Sequence, residues 1–326
     1  MDLRGASVCI TGGAGFVGSH IADQVLAAGA GRVVIVDNFI RGRHENLEDA
    51  IATGRVEVIA GDICDRDLVD QAIAGTDLVF HQAAWRITHC AEDAVGAVRV
   101  MINGTQNVLD AAVRHGVQKV LSASSASVYG EPSYLPMDEA HPFNNRTLYG
   151  AAKIAGEQLL RAYAEMYGLH YVSLRPFNVY GPRMDVYGAY TEVMIRWLER
   201  LEQGAAPIIF GDGLQTMDFV YVEDVARAYV LAAQSEATDV VLNAGIGVET
   251  SLRELCDLLC EAAGHSGVKV DYQPARRVGP VTRRLAATER AREVIGFEAC
   301  VPLREGLRQL VRWHSELRTV EPAGAR

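Results

Sequence analysis

The chain has 326 residues, of which 49% are hydrophobic and 22% are charged, and its formal net charge is −10. The apolar fraction excludes a disordered chain, and at roughly 150 residues per domain the length predicts two domains or one large one. The acidic balance argues against nucleic-acid binding, and without a membrane-length apolar run or a signal-peptide pattern we expect no membrane association and a cytoplasmic location.

In the first half of the chain, short β-rich runs alternate with helical patterns. Strands are predicted at 7–11, 32–37, 56–60, 77–82, 119–123 and 170–175, and helices at 16–28, 44–52, 65–73, 91–114 and 148–167. Several strands are continuously apolar, which is typical of strands that are buried on both faces. The alternation predicts the α/β fold class, with a Rossmann-type doubly wound parallel sheet covered by helices.

After about residue 180 the pattern becomes mixed and richer in Gly and Pro. Strands are predicted at 216–220 and 240–243, and helices at 222–234, 252–263 and 303–316. We therefore expect a first domain over 1–180, to which segments near 216–245 return. A smaller, mixed α/β domain would cover mainly 181–318, followed by a disordered tail at 319–326.

Six cysteines are spread along the chain without a CxxC pair: Cys9, Cys64, Cys90, Cys256, Cys260 and Cys300. Buried, unpaired thiols in a reducing compartment are the simplest interpretation. No Cys/His cluster has the spacing of a structural zinc site, so no metal is expected.

A glycine-rich loop follows the first predicted strand directly. It reads Thr-Gly-Gly-Ala-Gly-Phe-Val-Gly over 11–18 and opens the first predicted helix. In this context Gly12 permits a tight turn, Gly15 lets the backbone approach a pyrophosphate, and Gly18 lets helix and strand pack closely. The exposed N–H groups and the helix dipole favour phosphates. The loop predicts a dinucleotide site, although an ordinary strand–turn–helix is the alternative.

Acidic residues end the next two predicted strands. Asp37 lies 19 residues after Gly18, where a carboxylate accepts hydrogen bonds from ribose hydroxyls and repels a 2′-phosphate. This favours NAD over NADP, although Arg41 and Arg43 could blur the preference. Asp62 could lie at an adenine edge, or it could equally cap a helix.

Tyr149 and Lys153 form the sharpest chemical feature, because positions i and i+4 share one helix face. An ammonium beside a phenol favours the phenolate and lowers its pKa, so the tyrosine could act as a general base. The chain has only three lysines, which makes a chance pairing uncommon. Tyr-x-x-x-Lys alone would more often be a surface pair than a site. The functional interpretation depends on the glycine-rich loop upstream, which predicts a dinucleotide site.

A serine-rich segment, 124–130, follows the predicted strand at 119–123. The carboxyl ends of strands are where open α/β sheets bind ligands. Its hydroxyls could therefore hydrogen-bond a reacting substrate oxygen. By itself the segment would be interpreted as a helix cap or a loop.

Taken in order, these motifs resemble the extended short-chain dehydrogenase/reductase family, the NAD-dependent sugar-nucleotide epimerases and dehydratases. The resemblance covers about residues 6 to 312. The matching segments are TGGAGFVG at 11–18, Asp37-Asn38, Gly61-Asp62-Ile63, HQAA at 81–84, SSASVYG at 124–130, YGAAK at 149–153, RPFNVYGPR at 175–183, DFVYVEDVA at 218–226 and NAG at 243–245.

The resemblance implies roles for individual residues. Tyr149 would be the catalytic base, Lys153 its partner that also holds the nicotinamide ribose, and Ser125 the catalytic serine. NAD would be bound by Gly12, Gly15, Phe16, Val17, Gly18, Asp37, Asn38, Asp62, Ile63, Gln82, Ala83, Ala84, Ser124, Tyr149, Lys153, Phe177 and Val179. A nucleotide-sugar substrate would contact Arg86, Ser125, Ser127, Tyr149, Asn178, Arg183 and Arg277, although Arg86 could equally be a solvated arginine.

The resemblance also separates two reactions. Family dehydratases carry Asp-Glu directly after the catalytic residue, whereas Ala126-Ser127 stand here. The serine motif resembles the 4-epimerases instead, which implies C4 epimerisation of a UDP-hexose or UDP-hexuronate through a 4-keto sugar. Other sugar-nucleotide chemistry (4,6-dehydration, decarboxylation, 4-ketoreduction) and an inactive NAD-binding protein are the alternatives. The helices at 91–114 and 148–167 correspond to the family's dimer interface, so a homodimer is expected.

Two departures affect phosphate binding. Met217 stands where the family usually has arginine, and Pro280 replaces an acid after Arg277. Losing an arginine removes a bidentate phosphate donor, for which Arg183, Arg276, Arg283 or Arg284 could compensate. The unusual run at 144–148 could read a substrate carboxylate through Arg146, or it could merely cap the next helix.

Overall fold

The computed structural model describes residues 2–187, 192–274 and 282–320. Its strands are β1 (Ser7–Thr11), β2 (Arg32–Asp37), β3 (Val56–Ala60), β4 (Leu78–His81), β5 (Lys119–Ala123), β6 (Tyr171–Pro176), β7 (Asn178–Tyr180), β8 (Ile208–Phe210), β9 (Thr216–Tyr221), β10 (Val240–Ala244), β11 (Glu249–Ser251) and β12 (Asp271–Gln273). Its α-helices are α1 (Phe16–Ala27), α2 (Glu48–Ala52), α3 (Arg66–Ile73), α4 (Ile87–Glu92), α5 (Ala94–Val98), α6 (Thr105–Arg114), α7 (Leu148–Tyr167), α8 (Val193–Glu202), α9 (Val222–Gln234), α10 (Leu252–Ala262), α11 (Glu289–Ile295) and α12 (Leu303–Val320).

Seven parallel strands form the large sheet, in the order β10-β6-β5-β4-β1-β2-β3. The chain starts in the middle of the sheet, winds out to β3 and then returns to the other side of β1. Helices cover both faces, and β2 is buried from Val33 to Asp37. The predicted α/β fold class and Rossmann-type sheet are confirmed, because continuous apolar runs fit strands that are covered on both faces.

The long helix predicted at 91–114 was wrong. The structure has α4, a break at Asp93, α5, a π-helical turn over Arg99–Gly104, and then α6. Asp93 adopts an extended backbone conformation, and its side chain accepts a hydrogen bond from the Gly96 N–H. An aspartate that caps a new helix in this way competes with continuation of the previous one.

Two small sheets occupy the second half of the described chain. One has the order β11-β9-β7 and the other pairs β12 with β8. The sequence analysis did not predict β7, α8, β8, β11, β12 or α11, which are short or lack a clear period. The strand β10 joins the large sheet beside β6, and α9 packs against α1. The division into domains near residue 180 stays a prediction.

Several smaller expectations can be compared with the structure. The last helix extends to Val320, beyond the predicted end at 316 and into the predicted tail, whose remainder, 321–326, lies outside the described residues. All six cysteines are unpaired, but Cys64 is only partly buried and Cys300 is exposed, so the prediction of buried thiols was wrong for those two. Among the described helices, none is long and apolar enough to cross a membrane.

Parallel strands place their carboxyl ends at one edge of the sheet. At that edge β1 ends at Thr11, β2 at Asp37, β4 at His81 and β5 at Ala123. The glycine-rich loop follows β1, Asp37 is the last residue of β2, and the serine-rich segment follows β5. Segments that are far apart in sequence therefore meet at a single edge.

Candidate active site

The loop between β1 and α1 turns at Gly12, whose φ is +70°. A Cβ at this position would lie 2.6 Å from the backbone nitrogen of Ala83, so glycine is required both for its conformation and for its close approach to the segment after β4. At Gly18 a Cβ would lie 2.2 Å from the carbonyl oxygen of Gly12. The first turn of α1 thus packs on the loop itself, rather than on a strand as predicted.

Asp37 is buried at the end of β2 and holds the loop. Its carboxylate oxygens accept hydrogen bonds from the backbone N–H groups of Ala14 at 3.0 Å and Phe39 at 2.9 Å. Burial raises its pKa, and these hydrogen bonds act in the opposite direction. Because each carboxylate oxygen has two lone pairs, acceptor capacity remains for a ribose hydroxyl.

Asp62 does not cap the helix after β3. Its carboxylate accepts hydrogen bonds from the Cys64 N–H and from the Asn38 side-chain amide. The cap of α3 is Asp65, which accepts from the N–H groups of residues 67 and 68. The capping alternative for Asp62 was therefore wrong, and Asp62 is joined to Asn38 at the edge of the sheet.

One cavity of about 800 Å³ lies along this edge. Its lining includes most of the residues predicted to bind cofactor or substrate: Gly12, Gly15, Phe16, Val17, Gly18, Asp37, Asn38, Asp62, Ile63, Gln82, Ala83, Ala84, Arg86, Ser124, Ser125, Tyr149, Lys153, Phe177, Val179 and Arg183. The structure therefore brings these residues together, although they come from positions 12 to 183 of the chain.

Tyr149 and Lys153 enter the cavity from the first turns of α7, and Ser125 enters from the carboxyl end of β5. The Lys153 ammonium nitrogen lies 5.7 Å from the centroid of the Tyr149 ring and donates a hydrogen bond to the Ala123 carbonyl at 2.5 Å. Ser125 also begins a short 3₁₀ turn, where its hydroxyl accepts from the Ser127 N–H. Ser125 therefore caps this turn and also lines the cavity, while its catalytic role stays a prediction.

Burial raises the pKa of the Tyr149 phenol. A hydrogen bond with Ser125 and the positive charges of Arg284 and Arg86 act in the opposite direction. The prediction that Lys153 sets a lowered pKa was wrong for the protein alone. The Lys153 ammonium is itself buried, which lowers its pKa to about 8, while Glu157 acts to raise it.

The other two lysines do not contribute to this site. Lys119 donates hydrogen bonds to the carbonyls of Ala232 and Ser235 at the end of α9, and Lys269 is exposed. Lys153 is therefore the lysine that lines the cavity.

The predicted substrate residues have mixed surroundings. Arg86 forms an ion pair with Glu192 at 2.7 Å, and Arg183 forms one with Asp23 of α1, also at 2.7 Å. The solvated alternative for Arg86 was therefore wrong, and both guanidinium groups already have a carboxylate partner. Ser127 and Asn178 are not among the cavity-lining residues. Arg277, with Arg276 and Pro280, lies outside the described residues.

The run at 144–148 caps α7. Thr147 accepts a hydrogen bond from the Gly150 N–H, and the Asn145 side chain in turn accepts from Thr147. Arg146 is exposed and does not line the cavity. The capping alternative is thus confirmed. At the other departure, Met217 is partly buried against the core of the second half.

The segment 182–187 covers the cavity, and its residues 183–187 line it; the sequence analysis had singled out only Arg183 in this lining and missed residues 184–187. His20 on α1 hydrogen-bonds the Pro182 carbonyl at 3.1 Å. Further on, Arg41 pairs with Asp185, and the Arg43 guanidinium lies 4.2 Å from the centroid of the Tyr187 ring. These contacts hold the segment against α1 and against the loop after β2. They join residues that are far apart in sequence, so local sequence patterns could not reveal them.

Trp313, Glu316 and Leu317 of α12 also line the cavity, although the sequence analysis predicted only a terminal helix there. In addition, His81 links Thr11 at 2.7 Å to Thr105 at 3.0 Å. Burial lowers its pKa to about 3, helped by the charge of Lys153, so the imidazole is neutral. These two hydrogen bonds of His81 hold the ends of β1 and β4 together. The sequence analysis named the histidine only as part of a family motif and did not predict this role.

The cavity has features that suit a dinucleotide. The Gln82 side-chain nitrogen and the Arg43 Nε are buried without a hydrogen-bond partner among the described residues, and both residues line it. Buried donors of this kind are costly unless a ligand accepts from them. With the glycine loop and Asp37 they could hold pyrophosphate, ribose and base. In the described ranges, no group of three or more His, Cys, Asp or Glu side chains could hold a metal ion.

Comparisons with known proteins agree with this geometry. The sequence profile described as the NAD dependent epimerase/dehydratase family matches residues 8–245. A UDP-glucose 4-epimerase of Mycolicibacterium smegmatis is 38% identical over 307 residues, which are 93% of this chain and 97% of that one. A UDP-N-acetyl-alpha-D-glucosaminuronate decarboxylase of Bacillus cytotoxicus is 31% identical over 94% of this chain and 97% of that one.

A solved structure is also similar over its whole length. It is the UDP-N-acetylglucosamine 4-epimerase from Methanobrevibacter ruminantium M1, in complex with UDP-N-acetylmuramic acid. The TM-score is 0.91 at 31% identity, over 96% of this chain and 99% of that chain. The relatives share sugar-nucleotide chemistry but differ in the reaction that their names give.

Proposed function

The chain belongs to the NAD dependent epimerase/dehydratase family, its cofactor is NAD, and from this we propose that it epimerises a nucleotide-activated sugar at C4. The substrate would be a UDP-hexose or UDP-hexuronate, and the reaction would pass through a transient 4-keto sugar. The supporting observation is that Ser125, Tyr149 and Lys153 line one cavity with the glycine-rich loop. That arrangement puts a proton acceptor beside a site for a hydride carrier.

In this proposal Tyr149 takes the proton of the sugar 4-hydroxyl and later returns it to the 4-keto oxygen. The Ser125 hydroxyl would hydrogen-bond the same sugar oxygen. It also forms a hydrogen bond with the Tyr149 phenol. NAD, held by the glycine-rich loop and Asp37, would supply the hydride acceptor for C4, and the positive charge of its oxidised form would favour the Tyr149 phenolate. Lys153, fixed to the Ala123 carbonyl, would hold ribose hydroxyls of the cofactor.

Retention of the 4-keto sugar is what makes the reaction an epimerisation. The 4-keto sugar must rotate inside the cavity so that the hydride returns to the opposite face of C4. The segment 182–187, fastened through Arg41 and Asp185, covers the cavity and would keep the cofactor in place through the whole cycle. No net NADH is then formed.

The alternative reactions receive less support. Dehydration needs an acid that expels water from the sugar, but Ala126 directly follows Ser125 and is buried. The next residue, Ser127, carries a hydroxyl and not a carboxyl group, and its backbone N–H donates to the Ser125 hydroxyl. Decarboxylation and 4-ketoreduction would use the same tyrosine and differ in the substrate or in the supply of reductant.

A product assay tests the proposal. The purified protein is incubated without reductant with UDP-glucose, UDP-galactose, UDP-glucuronate, UDP-N-acetylglucosamine and TDP- and GDP-sugars, and products are resolved by chromatography and NMR. A C4 epimer without accumulation of NADH is expected. Return of every sugar unchanged, or formation of a 6-deoxy-4-keto product, would overturn the proposal.

We also propose that the protein is a homodimer through α5 and α7. These helices contact each other and carry exposed apolar side chains, among them Val95, which is 80% exposed, Val98 and Leu148. Contiguous exposed apolar side chains are typical of interaction surfaces. Light scattering should give twice the chain mass, and Val95→Glu should shift it to the monomer; a monomeric wild type would contradict the proposal.

A further inference from the structure

Arg283 and Arg284 are neighbours in sequence but have opposite surroundings. The Arg283 side chain is 53% exposed and forms a two-point ion pair with Glu249, at 2.9 and 2.5 Å. In contrast, the Arg284 Nε is buried and has no hydrogen-bond partner among the described residues. Arg283 is thus neutralised at the surface, whereas Arg284 is partly buried and its Nε has no partner in the described part of the chain.

The backbone fixes where Arg284 lies. Its N–H donates to the Thr216 carbonyl of β9 at 3.0 Å, and the carbonyl of the next residue, Leu285, accepts from the Met137 N–H at 2.8 Å. The residue is therefore held between the small sheet and the loop after the serine-rich segment. Arg284 is not among the cavity-lining residues, but Ala286, two positions further on, belongs to the same buried cluster as Ala126 of the serine-rich segment and the cavity-lining Phe177. The Arg284 segment thus lies beside this end of the cavity, and the charge of Arg284 acts to lower the pKa of the Tyr149 phenol.

Among the described residues, Glu131 is a further charged group near Arg284. The Glu131 carboxylate is exposed and accepts hydrogen bonds from the hydroxyl and N–H of Thr282, at 2.6 and 3.3 Å. It attracts the guanidinium only from a distance, without an ion pair between them. Arg86, the second cation near Tyr149, differs because it is paired with Glu192 at 2.7 Å.

Burial lowers the pKa of Arg284, although arginine stays charged at any ordinary pH. A desolvated cation without a counter-ion is destabilising, and proteins keep such groups mainly at functional sites. An anionic group of the ligand would supply the missing partner. The guanidinium fork matches a carboxylate with two parallel hydrogen bonds.

We propose that Arg284 binds a carboxylate on the sugar of the substrate, so that the preferred substrates are nucleotide-activated hexuronates. In a hexuronate the carboxylate is attached to C5, the carbon next to the reacting C4. The nucleotide diphosphate is attached to C1, across the ring. An arginine near Tyr149 is therefore better placed for the carboxylate. This inference rests on the proposed function and narrows its substrate class.

The test compares two sugar nucleotides that differ only at C6, UDP-glucuronate and UDP-glucose. We measure kcat/KM for both with the wild type, Arg284→Met, Arg284→Lys and the neighbouring control Arg283→Met. The wild type should favour the hexuronate. In Arg284→Met the ratio of the two kcat/KM values should fall about 100-fold, and Arg284→Lys, which keeps the charge but loses the fork, should lie between. Arg283→Met should leave the ratio within about threefold.

Three outcomes would overturn the inference: a wild type that prefers UDP-glucose, an equal loss for both substrates in Arg284→Met, or the same change of ratio in Arg283→Met. An equal loss would assign the arginine to the diphosphate. Because a ratio within one variant is used, reduced folding of Arg284→Met cancels.

A failure of the proposed function itself gives a different result. If neither sugar turns over, calorimetry still compares the Kd of UDP-glucuronate and UDP-glucose for wild type and Arg284→Met, and the same selective loss is expected. If CO₂ and a UDP-pentose form, the C5–C6 bond has broken and a proton has replaced the carboxylate at C5. Epimerisation would then be wrong, whereas recognition of the hexuronate would stand.

Discussion

Glu157 of α7 and Arg175 of β6 form a bidentate ion pair inside the protein, with N–O distances of 2.8 and 2.7 Å and side chains only 3% and 4% exposed. Ser124 also donates a hydrogen bond to Glu157. Since Tyr149, Lys153 and Glu157 follow one another at intervals of four residues, they share one face of α7. The ion pair therefore fixes α7, which carries Tyr149 and Lys153, to β6. The Ser124 hydrogen bond joins the same helix to the segment after β5 that contains Ser125.

Replacing Glu157 by Gln should lower the free energy of unfolding by about 3 kcal/mol or more. The change leaves the Arg175 guanidinium buried without its counter-ion, which is far more costly than loss of a surface pair. It also removes a charge that raises the pKa of Lys153. Equilibrium urea denaturation measures the first effect, and the basic limb of the pH–rate profile, displaced to lower pH, measures the second.

Glu261→Gln is the matched control for that prediction. It breaks the ion pair with Arg304, whose partners are 53% and 58% exposed. Such pairs contribute less than about 1 kcal/mol. Equal losses in the two variants would show that burial of the Glu157–Arg175 pair is unimportant for stability.

Tyr149→Phe should lower kcat by about 10²–10⁴-fold, because it removes only the hydroxyl that accepts the proton. Binding of NAD should persist, since the ring and the glycine loop are unchanged. Turnover measures the first effect and calorimetry with NAD the second. Tyr167→Phe, at an exposed position of the same helix, serves as control, and full activity of Tyr149→Phe would rule out the assigned base.

Gly12→Ala should abolish NAD binding, whereas Gly54→Ala should not affect it. Both glycines have φ of +70°, but a Cβ at Gly12 meets the Ala83 backbone at 2.6 Å and one at Gly54 has nothing within 4 Å. Conformational strain of about 1–2 kcal/mol is common to both, so the difference isolates the close approach. Thermal unfolding of the two variants measures the common strain, and NAD titration measures the affinity for the cofactor. Similar NAD affinities of the two variants would contradict the role of Gly12.

Stability should fall as the pH drops below about 6.5, with a contribution from His81. Its pKa is about 3 in the folded protein, against an ordinary value of 6.5. Between these values the unfolded chain binds a proton that the folded one does not, so unfolding is favoured by up to about 1.4 kcal/mol per pH unit.

His81→Gln should flatten that part of the stability profile, measured by urea denaturation from pH 7 to 5. The exposed His265 provides the comparison as His265→Gln, which should retain the slope of the wild type. An unchanged slope in the His81 variant would show that the imidazole is not buried in its neutral form.

Asp185→Asn should accelerate release of NAD by about 3–10-fold. The substitution removes the charge that pairs with Arg41 and loosens the segment 182–187, and a partly buried pair of this kind is worth about 1 kcal/mol. Stopped-flow displacement of NAD measures the rate. Asp2→Asn, which breaks an exposed pair with Arg4, should leave it unchanged, and an unaltered rate in Asp185→Asn would mean that the segment does not retain the cofactor.

Local patterns in the sequence were sufficient for the large sheet and the centre of the site. Apolar runs and glycines act over a few residues, so the bounds of β1, β2, β3, β5 and α7 agree with the prediction. The i, i+4 spacing likewise placed Lys153 beside Tyr149. The helix over 91–114 was wrong because a single capping side chain, Asp93, competes with helix continuation.

Other features depend on residues that meet only in the folded chain. Sequence spacing could not show which arginines form ion pairs. Arg183 pairs with Asp23, which is 160 positions away in the chain, and Arg41 pairs with Asp185. Desolvation, not Lys153, sets the direction of the pKa of Tyr149, because burial is a property of the tertiary structure. The sequence by itself determined the family and the fold class and placed Tyr149 and Lys153 on one helix face. The tertiary structure decided which charges are neutralised, because ion pairs form between residues that meet only on folding, and within the described part of the chain it leaves the buried Arg284 Nε without a hydrogen-bond partner.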